Sequence, residues 1–590
     1  MNRNFKWVLT LTAACTFTVM AAAQELQEEK APENWFNLDP ETDKVPGIST
    51  ERAYKELLVN LKADTVIVAV IDGGVEVDHE DLLGKIWVNP EEKKGNEKDD
   101  DKNGYEDDIY GWDFIGGQDG QDVHHDNLEV TRLVREMAPT YEHADTSNLN
   151  AAQKAGYRRY ISLKEIVDTE LSEAKDGFDN YSSFYKVLQA FAEKIGKEEI
   201  SKEDVQNYEP LGEYDEAVKS VVLQNLEDTG LSFRDFMANV KEGVEYFGSK
   251  VKYHYNTDFN PRDIVQDNYN DPRQRFYGNN EVEGPDARHG THVAGIIAAN
   301  RANSIGIKGV AAPVKIMAIR TVPDGDERDK DVANAIRYAA ENGAKVINMS
   351  FGKGYSPDKE VVDEAVKYAL SRDVLLVHAA GNDGSNVDGK PNYPSPYFED
   401  AAEGAGQGTS PSASQGSSKS TGQDSSQRAG AWIEVGASTW MGGEKLPAEF
   451  SNYGAERVDL FAPGYRIHST VPDSKYEDLD GTSMAAPVVA GAAALIRAYY
   501  PELSAIQVKQ ALVSSVTPVD WEVIKPGTEN ELVKMTDLCA SGGILNVHNA
   551  LQAAAKIAAQ APAEEAAEDE APRKKGGLAE FFRRLFGKKN

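Results

Sequence analysis

An α/β fold, a parallel sheet with helices on both faces and an inserted α-helical module, is what the sequence predicts. Three observations carry it. Apolar β-branched runs alternate with helical patterns in residues 63–117 and again in 281–547, which is the signature of a parallel sheet. Between them, residues 118–280 switch to helical periodicity throughout. Finally, GTSMAAPVVAGAAAL at 481–495 is a turn running into a helix whose Ala/Gly/Val face suits only close packing among neighbours.

Composition bounds the partners. The 590 residues carry 97 acidic against 63 basic side chains and a net charge of −34, which argues against nucleic-acid binding and favours bound cations. Residues 1–23 read as a signal peptide: Arg3 and Lys6, an apolar run from Trp7 to Met20, then Ala21-Ala22-Ala23. The expected location is therefore the periplasm or the exterior. Cleavage after Ala23 removes Cys15 and leaves Cys539 alone, so no internal disulfide forms and calcium is the expected substitute.

Residues 24–62 form a polar N-terminal leader with an aromatic anchor at Trp35-Phe36. TVIVAVID (65–72) is a buried strand ending in Asp72, and an acid at the carboxyl end of such a strand lies where α/β folds place their chemistry. In the acidic loop at 98–114, Asp99, Asp101 and Asn103 alternate before Gly104, and Asp107 follows. This resembles the first half of a calcium loop, although Tyr110 stands where an EF-hand needs Glu.

Within the module, Phe184, Val187, Leu188, Phe191, Ala192 and Ile195 share a helical face that Gly196 ends. Ser232 caps a second helix carrying Phe233, Phe236, Met237, Val240, Val244 and Phe247. These stripes are read as the module's own core. The alternation then resumes: HGTHVAGIIAAN opens a helix with His289 in its first turn, and VKIMAI, KVINMSFG and VLLVHAAGN are strands, with helices at 331–342 and 358–372 between them. A Gly/Ser/Gln-rich stretch at 404–430 reads as a mobile loop; AWIEVGAS and RVDLFAPG complete the strands. Residues 548–577 read as an Ala/Glu-rich linker. Beyond it, 578–590 is a basic amphipathic segment with Leu578, Phe581, Phe582, Leu585 and Phe586 at helical spacing. Too short to span a bilayer, it suits an anionic membrane surface or a docking partner.

Asp72, His289, Asn382 and Ser483 each fall at a strand end or helix start of one α/β core. A serine hydroxyl needs a neighbouring imidazole to take its proton, and that imidazole needs a carboxylate to orient it and stabilise its charge. The Ser483 backbone N–H and the Asn382 amide are candidate donors to an oxyanion.

The segments VIDGGVEVDHEDL, HGTHVAGIIAA, NMSFG, AAGN and GTSMAAPVVAG resemble, in order, those of subtilisin-like serine proteases, the subtilase family. The resemblance implies a subtilisin-like sheet and serine endopeptidase activity, with Asp72 as orienting acid, His289 as general base, Ser483 as nucleophile and Asn382 as oxyanion donor. It further implies that Ser350, Phe351 and Gly352 form an edge strand that pairs with a protein or peptide substrate. His292 resembles a position that packs structurally, and the acidic loop is similar to calcium-stabilised loops of some bacterial members. Structural Ca2+ is thus expected, and no organic cofactor. Two departures stand out. The module separates Asp72 from His289 and is expected to emerge beside the cleft, gating or contributing to substrate binding; and the leader looks short for the family's inhibitory propeptide. A noncatalytic peptide-binding scaffold and a peptide ligase or macrocyclase are the competing functions.

Overall fold

The computed structural model describes residues 31–32, 34–398 and 428–570, the last ten of these by backbone alone. The signal segment, most of 404–430 and the 578–590 segment lie outside the described residues.

Nine strands form one sheet in the order β10-β13-β7-β6-β5-β4-β1-β3-β2. At its centre β1 (Val66–Asp72) pairs in parallel with β3 (Val314–Arg320) and β4 (Val346–Met349). Strand β2 (Gly111–Asp113) lies beyond β3; β5 (Leu375–Ala379), β6 (Trp432–Ser438), β7 (Leu460–Pro463) and the short β13 (Gly543–Ile544) extend the other side, all parallel. The terminal β10 (Thr517–Pro518) is antiparallel. Side chains along a strand alternate between faces, and β1 shows why its run is apolar throughout: Val68 and Val70 enter one core, Ala69 and Ile71 the other. This is the expected α/β, subtilisin-like architecture.

Helix α11 (Thr482–Tyr499) lies in the first of these cores and packs against β1, β3, β4, β5, β6 and β7. Its small residues permit that approach. A Cβ on Gly491 would come within 2.7 Å of the Val310 Cβ. Among the described residues α11 is the only helix long and apolar enough to cross a membrane, and 89% of it is buried inside the protein. Helix α8 (Arg288–Ala298) packs beside it, with α9 (Asp329–Glu341) and α10 (Lys359–Ser371) on the opposite face. Cys539 is buried and unpaired.

Two expected boundaries change. The leader is not separate: from Asn34 on it belongs to the main core. Trp35, Phe36 and Ile48 are buried there, and helix α1 (Thr50–Glu56) follows. The Asn37 amide donates to the Lys308 carbonyl (2.8 Å), and the Ile48 carbonyl accepts from the Val547 amide (2.8 Å). The apolar residues here are too few and too spread to show periodicity, so only the paired aromatics signalled the burial. Likewise the linker expected from 548 is helix α13 (Val547–Glu570), whose Val547, Ala550, Leu551 and Ala554 pack in the core against α1, α11 and α12 (Ala505–Val513). Alanine and glutamate are strong helix formers, which is what an Ala/Glu-rich composition also supplies.

The inserted module is helical as expected. Helix α2 (Glu129–Tyr141) packs on the first half of the 45-residue α3 (Ala151–Ile195), and α6 (Phe233–Ser249) also runs against α3. Asn150 and Gln153 form a capping box at the start of α3, and Gly196, at φ 68°, ends it. Ser232 caps α6 through the Asp235 amide. Together with α4 (Lys202–Asn207) and α5 (Glu213–Thr229), these helices bury Leu188, Phe191, Val222, Phe233, Phe236 and Val240 as a core of their own. A second core at the module's base joins Val130, Leu133, Tyr160, Leu163 and Tyr255, and Tyr355 of the sheet domain packs against it.

Trp35 is 2% exposed, so Trp35→Ala removes a large buried side chain. It should lower the unfolding free energy by about 3 kcal/mol or more, read from the urea midpoint. A change below about 0.5 kcal/mol would mean the leader is only decoration.

Candidate active site

The carboxyl edge of the sheet gathers the functional side chains. Asp72 is the last residue of β1, buried to 2% exposure. Its Oδ1 accepts from the Gly73 amide (2.8 Å) and from His289 Nδ1 (2.7 Å). His289 can approach because its neighbour has no side chain: a Cβ on Gly290 would lie 2.1 Å from the Gly74 carbonyl. With Nδ1–H donating to the Asp72 oxygen, Nε2 carries the free lone pair.

Ser483 sits in the first turn of α11, half-buried, with helix N–H groups that have no partner within the helix. Two details hold it. Pro487 has no N–H to give the Ser483 carbonyl four residues back, and that carbonyl instead accepts from Ser350 Oγ (2.9 Å). In return Ser483 Oγ donates to the Ser350 carbonyl (3.1 Å). Ser483 and His289 are therefore not hydrogen-bonded to each other in this conformation; they are held on α11 and α8, which pack together. Catalytic hydrogen bonds of ligand-free sites commonly tighten only when substrate arrives.

Asn382 follows β5 by three residues. Its Oδ1 accepts from both the Thr482 amide and the Thr482 hydroxyl (2.9 Å each), which fixes the side chain and turns its Nδ2 donor away from Thr482. Thr482 also takes the Gly381 amide (3.0 Å), tying this loop to α11. Sequence motifs named Asn382 and Ser483 but not Thr482 as the residue that orients one beside the other. His292 is buried, and its Nε2 donates to the carbonyls of Ile467 and Glu477 (2.9 and 3.1 Å) in the hairpin of β8 (Ile467–Val471) and β9 (Lys475–Leu479). Burial pushes its imidazole down to about 3, which keeps it neutral and structural.

Ser350, Phe351 and Gly352 continue β4 beyond its last pairing, Ile71 with Met349. They carry no strand pairing, since β1 ends at Asp72 and its register with β4 stops at Met349. Lys353 regains pairing, exchanging backbone hydrogen bonds with Tyr393 (2.9 Å each way). Its ammonium is buried and contacts Glu129 Oε2, Asp329 Oδ1 and the Glu327 carbonyl, each at 2.8 Å. Glu129 begins α2, and its second cation is Arg132 (2.6 Å). Burial alone would raise the Glu129 carboxyl, but the Lys353 and Arg132 charges outweigh it and bring it down to about 2. The module is also rooted by Asp324, which takes His125 Nδ1 (2.7 Å) and His254 Nε2 (3.0 Å) from its two ends. None of these links had a sequence signal, since the partners lie far apart in the chain.

In the acidic loop, the carboxylates that converge are Glu92, Asp99 and Asp101, with ligand atoms within 4.8 Å of one another. Glu92 Oε2 is buried without a partner, which suits a hard cation among oxygen donors. Asp107 does not join them: its two oxygens hold the Gly95 and Glu97 amides (3.0 and 2.6 Å). Asn103 Oδ1 closes a turn with the Tyr105 amide (2.8 Å), and its Nδ2 donates to Asp101 and Asp108. Glu92 lies before the alternating pattern, so spacing alone missed it.

The subtilase family matches residues 166–546 of the chain. Subtilisin DY of Bacillus licheniformis is 38% identical over 235 residues, covering 39% of this chain and 70% of that protein. Subtilisin BL of Lederbergia lenta is 36% identical over 231 residues, with the same coverage of each. Among solved structures, proteases from Pseudoalteromonas arctica align over 89% of this chain and all of theirs, at 18% identity and a TM-score of 0.44. The chain belongs to the subtilase family of serine proteases.

Crowding of the His289 ring disfavours its charged form, but the charge of Asp72 and the hydrogen bond that Nδ1–H donates to it, with Asp286 further out, raise the imidazole above its ordinary 6.5. A raised histidine stabilises the fold fully below 6.5 and loses that contribution as pH rises through the folded value. NMR titration should place His289 above 6.5, and Asp72→Asn should bring it down. Unchanged titration in the variant would remove Asp72 as the cause.

Proposed function

We propose that this chain is a serine endopeptidase that hydrolyses peptide bonds through Asp72, His289 and Ser483. The observation that carries this is the 2.7 Å Asp72–His289 hydrogen bond at the sheet edge, beside the helix whose first turn bears Ser483. His289 Nε2 takes the Ser483 proton as Oγ attacks the scissile carbonyl carbon. Negative charge develops on the carbonyl oxygen, where the Ser483 N–H and Asn382 Nδ2 act as donors. The intermediate collapses as the imidazolium gives its proton to the leaving amine, leaving an acyl-Ser483. Water, deprotonated by His289, then releases the acid and restores the serine. Ser350, Phe351 and Gly352 are the substrate-binding segment, since their position beyond β1 leaves an edge to which an extended peptide adds as a strand.

Calcium is proposed at Glu92, Asp99 and Asp101, where it would supply charge compensation to the loop between β1 and β2. The signal order of residues 1–23 supports export, and the 578–590 segment supports docking on an anionic surface or partner.

A fluorophosphonate probe should label the protein at Ser483, and Ser483→Ala should abolish labelling and lower kcat by roughly 10^6-fold. Label on the alanine variant would disprove the assignment, whereas a folded parent that takes none would favour a binding scaffold. Product analysis with an added amine separates hydrolysis from ligation.

Adding millimolar calcium should raise the melting temperature of the parent and not of a Glu92→Gln, Asp101→Asn variant. Equal shifts in both would exclude this loop as the site.

A further inference from the structure

The segment Ser350–Lys353 is held at both ends by different parts of the molecule. At one end Ser350 and Ser483 exchange hydrogen bonds, hydroxyl to carbonyl in each direction (2.9 and 3.1 Å). At the other, Lys353 reaches out of the sheet domain to the head of α2, the first helix of the inserted module. Its ammonium and the Glu129 carboxylate are 2% and 3% exposed and 2.8 Å apart. Glu129 is itself fixed from three sides: its amide donates to Asp326 Oδ2 (2.7 Å), Arg132 pairs with its carboxylate, and Arg132 is in turn bonded to the carbonyls of Asn127, Asp326 and Glu327. The only residues left between these two anchors are Phe351 and Gly352.

We propose that Glu129 is a positioning residue for the substrate-binding segment, acting through the Lys353 ammonium, so that the inserted module sets the place of Phe351 and Gly352 relative to Ser483. The proposal rests on the reading of this site as a peptidase cleft. A buried ion pair has a narrow range of acceptable geometries, because each charge has been taken out of water and depends on the other. The Tyr393 pairing holds the Lys353 backbone from within the sheet domain, and the module adds the hold on its side chain at the carboxyl end of the segment. An extended peptide bound along Phe351 and Gly352 would sense any relaxation at Lys353, whereas Ser483 and His289, held by α11 and α8, would not. Asp329, the other carboxylate on Lys353, belongs to the sheet domain at the head of α9, so it keeps the lysine charged without linking it to the module.

The test uses the full chain and Glu129→Gln, with peptide amides spanning several residues before the scissile bond. KM should rise about tenfold or more while kcat and the rate of fluorophosphonate labelling stay within about twofold, since the small probe does not need the segment. Active sites are counted with the probe, so loss of folded protein is separated from weaker binding. Lys353→Met should raise KM likewise, and adding Glu129→Gln to it should have no further effect. Additive effects of the two substitutions would overturn the route through Lys353. An unchanged KM for the labelled fraction, or a fall in kcat and labelling together, would overturn the positioning role. If the unsubstituted chain takes no Ser483-dependent label, it is the peptidase reading that fails, and the proposal falls with it.

Discussion

A helix that starts at the turn of Ser483 and then runs through the middle of the protein must be thin. Helix α11 touches six strands, β1 and β3 to β7, and positions such as Gly491 have no room for a side chain. Every other element of the site is placed by reference to it: α8 packs alongside and carries His289, Thr482 aims Asn382, and Ser350 occupies the carbonyl that Pro487 leaves free. Interiors of this density transmit displacement rather than absorb it. A methylene too many in α11 would be felt at the catalytic edge as well as in the core.

The second tier of organisation is electrostatic. A chain of −34 net charge repels itself, yet at the root of the inserted module anions and cations alternate in close contact: Asp126 with Arg328, Glu129 with Arg132 and Lys353, and Asp331 with Arg262. Buried pairs of this kind contribute less to stability than to specifying one arrangement over others. Here they define how a helical module that has its own core is set against the sheet. The depressed Glu129 carboxyl has a sign attached: its contribution is complete above its ordinary 4.5 and disappears as pH falls toward about 2.

How much of this was legible in sequence follows from the range of each interaction. Strand β1, the helices carrying the Phe184–Ile195 and Phe233–Phe247 stripes, the caps at Ser232 and Gly196 and the helix bearing Ser483 are written in local periodicity and turn chemistry, and the structure forms each of them. Asp72, His289, Asn382 and Ser483 were named because each sits in a dense local motif, and the structure brings Asp72 and His289 into contact and pins Asn382 to the turn of Ser483. What local pattern cannot show is a partner hundreds of residues away. Glu129 with Lys353, and Asp324 with His125 and His254, belong to this class. In the acidic loop the alternation named Asp99 and Asp101, which converge, but it missed Glu92 and included Asp107: alternation counts oxygen atoms but not those already engaged, and Asp107 had given both of its oxygens to backbone amides. Composition misled at 548–570, where residues that often fill linkers are also the ones that build helices.

The clasp between the two ends of the described chain bears on the order in which the protein comes into being. Ile48 is bonded to Val547, Ser49 to Asn546 and Glu56 to His548, so this part of the core is closed by residues 492 or more positions later in the chain. Contacts of such separation form late and slowly. Helix α13 also lies against α11, so the surroundings of Ser483 cannot be complete until residues past 547 have arrived. During synthesis the surroundings of the site are therefore assembled only once the residues of α13 have emerged.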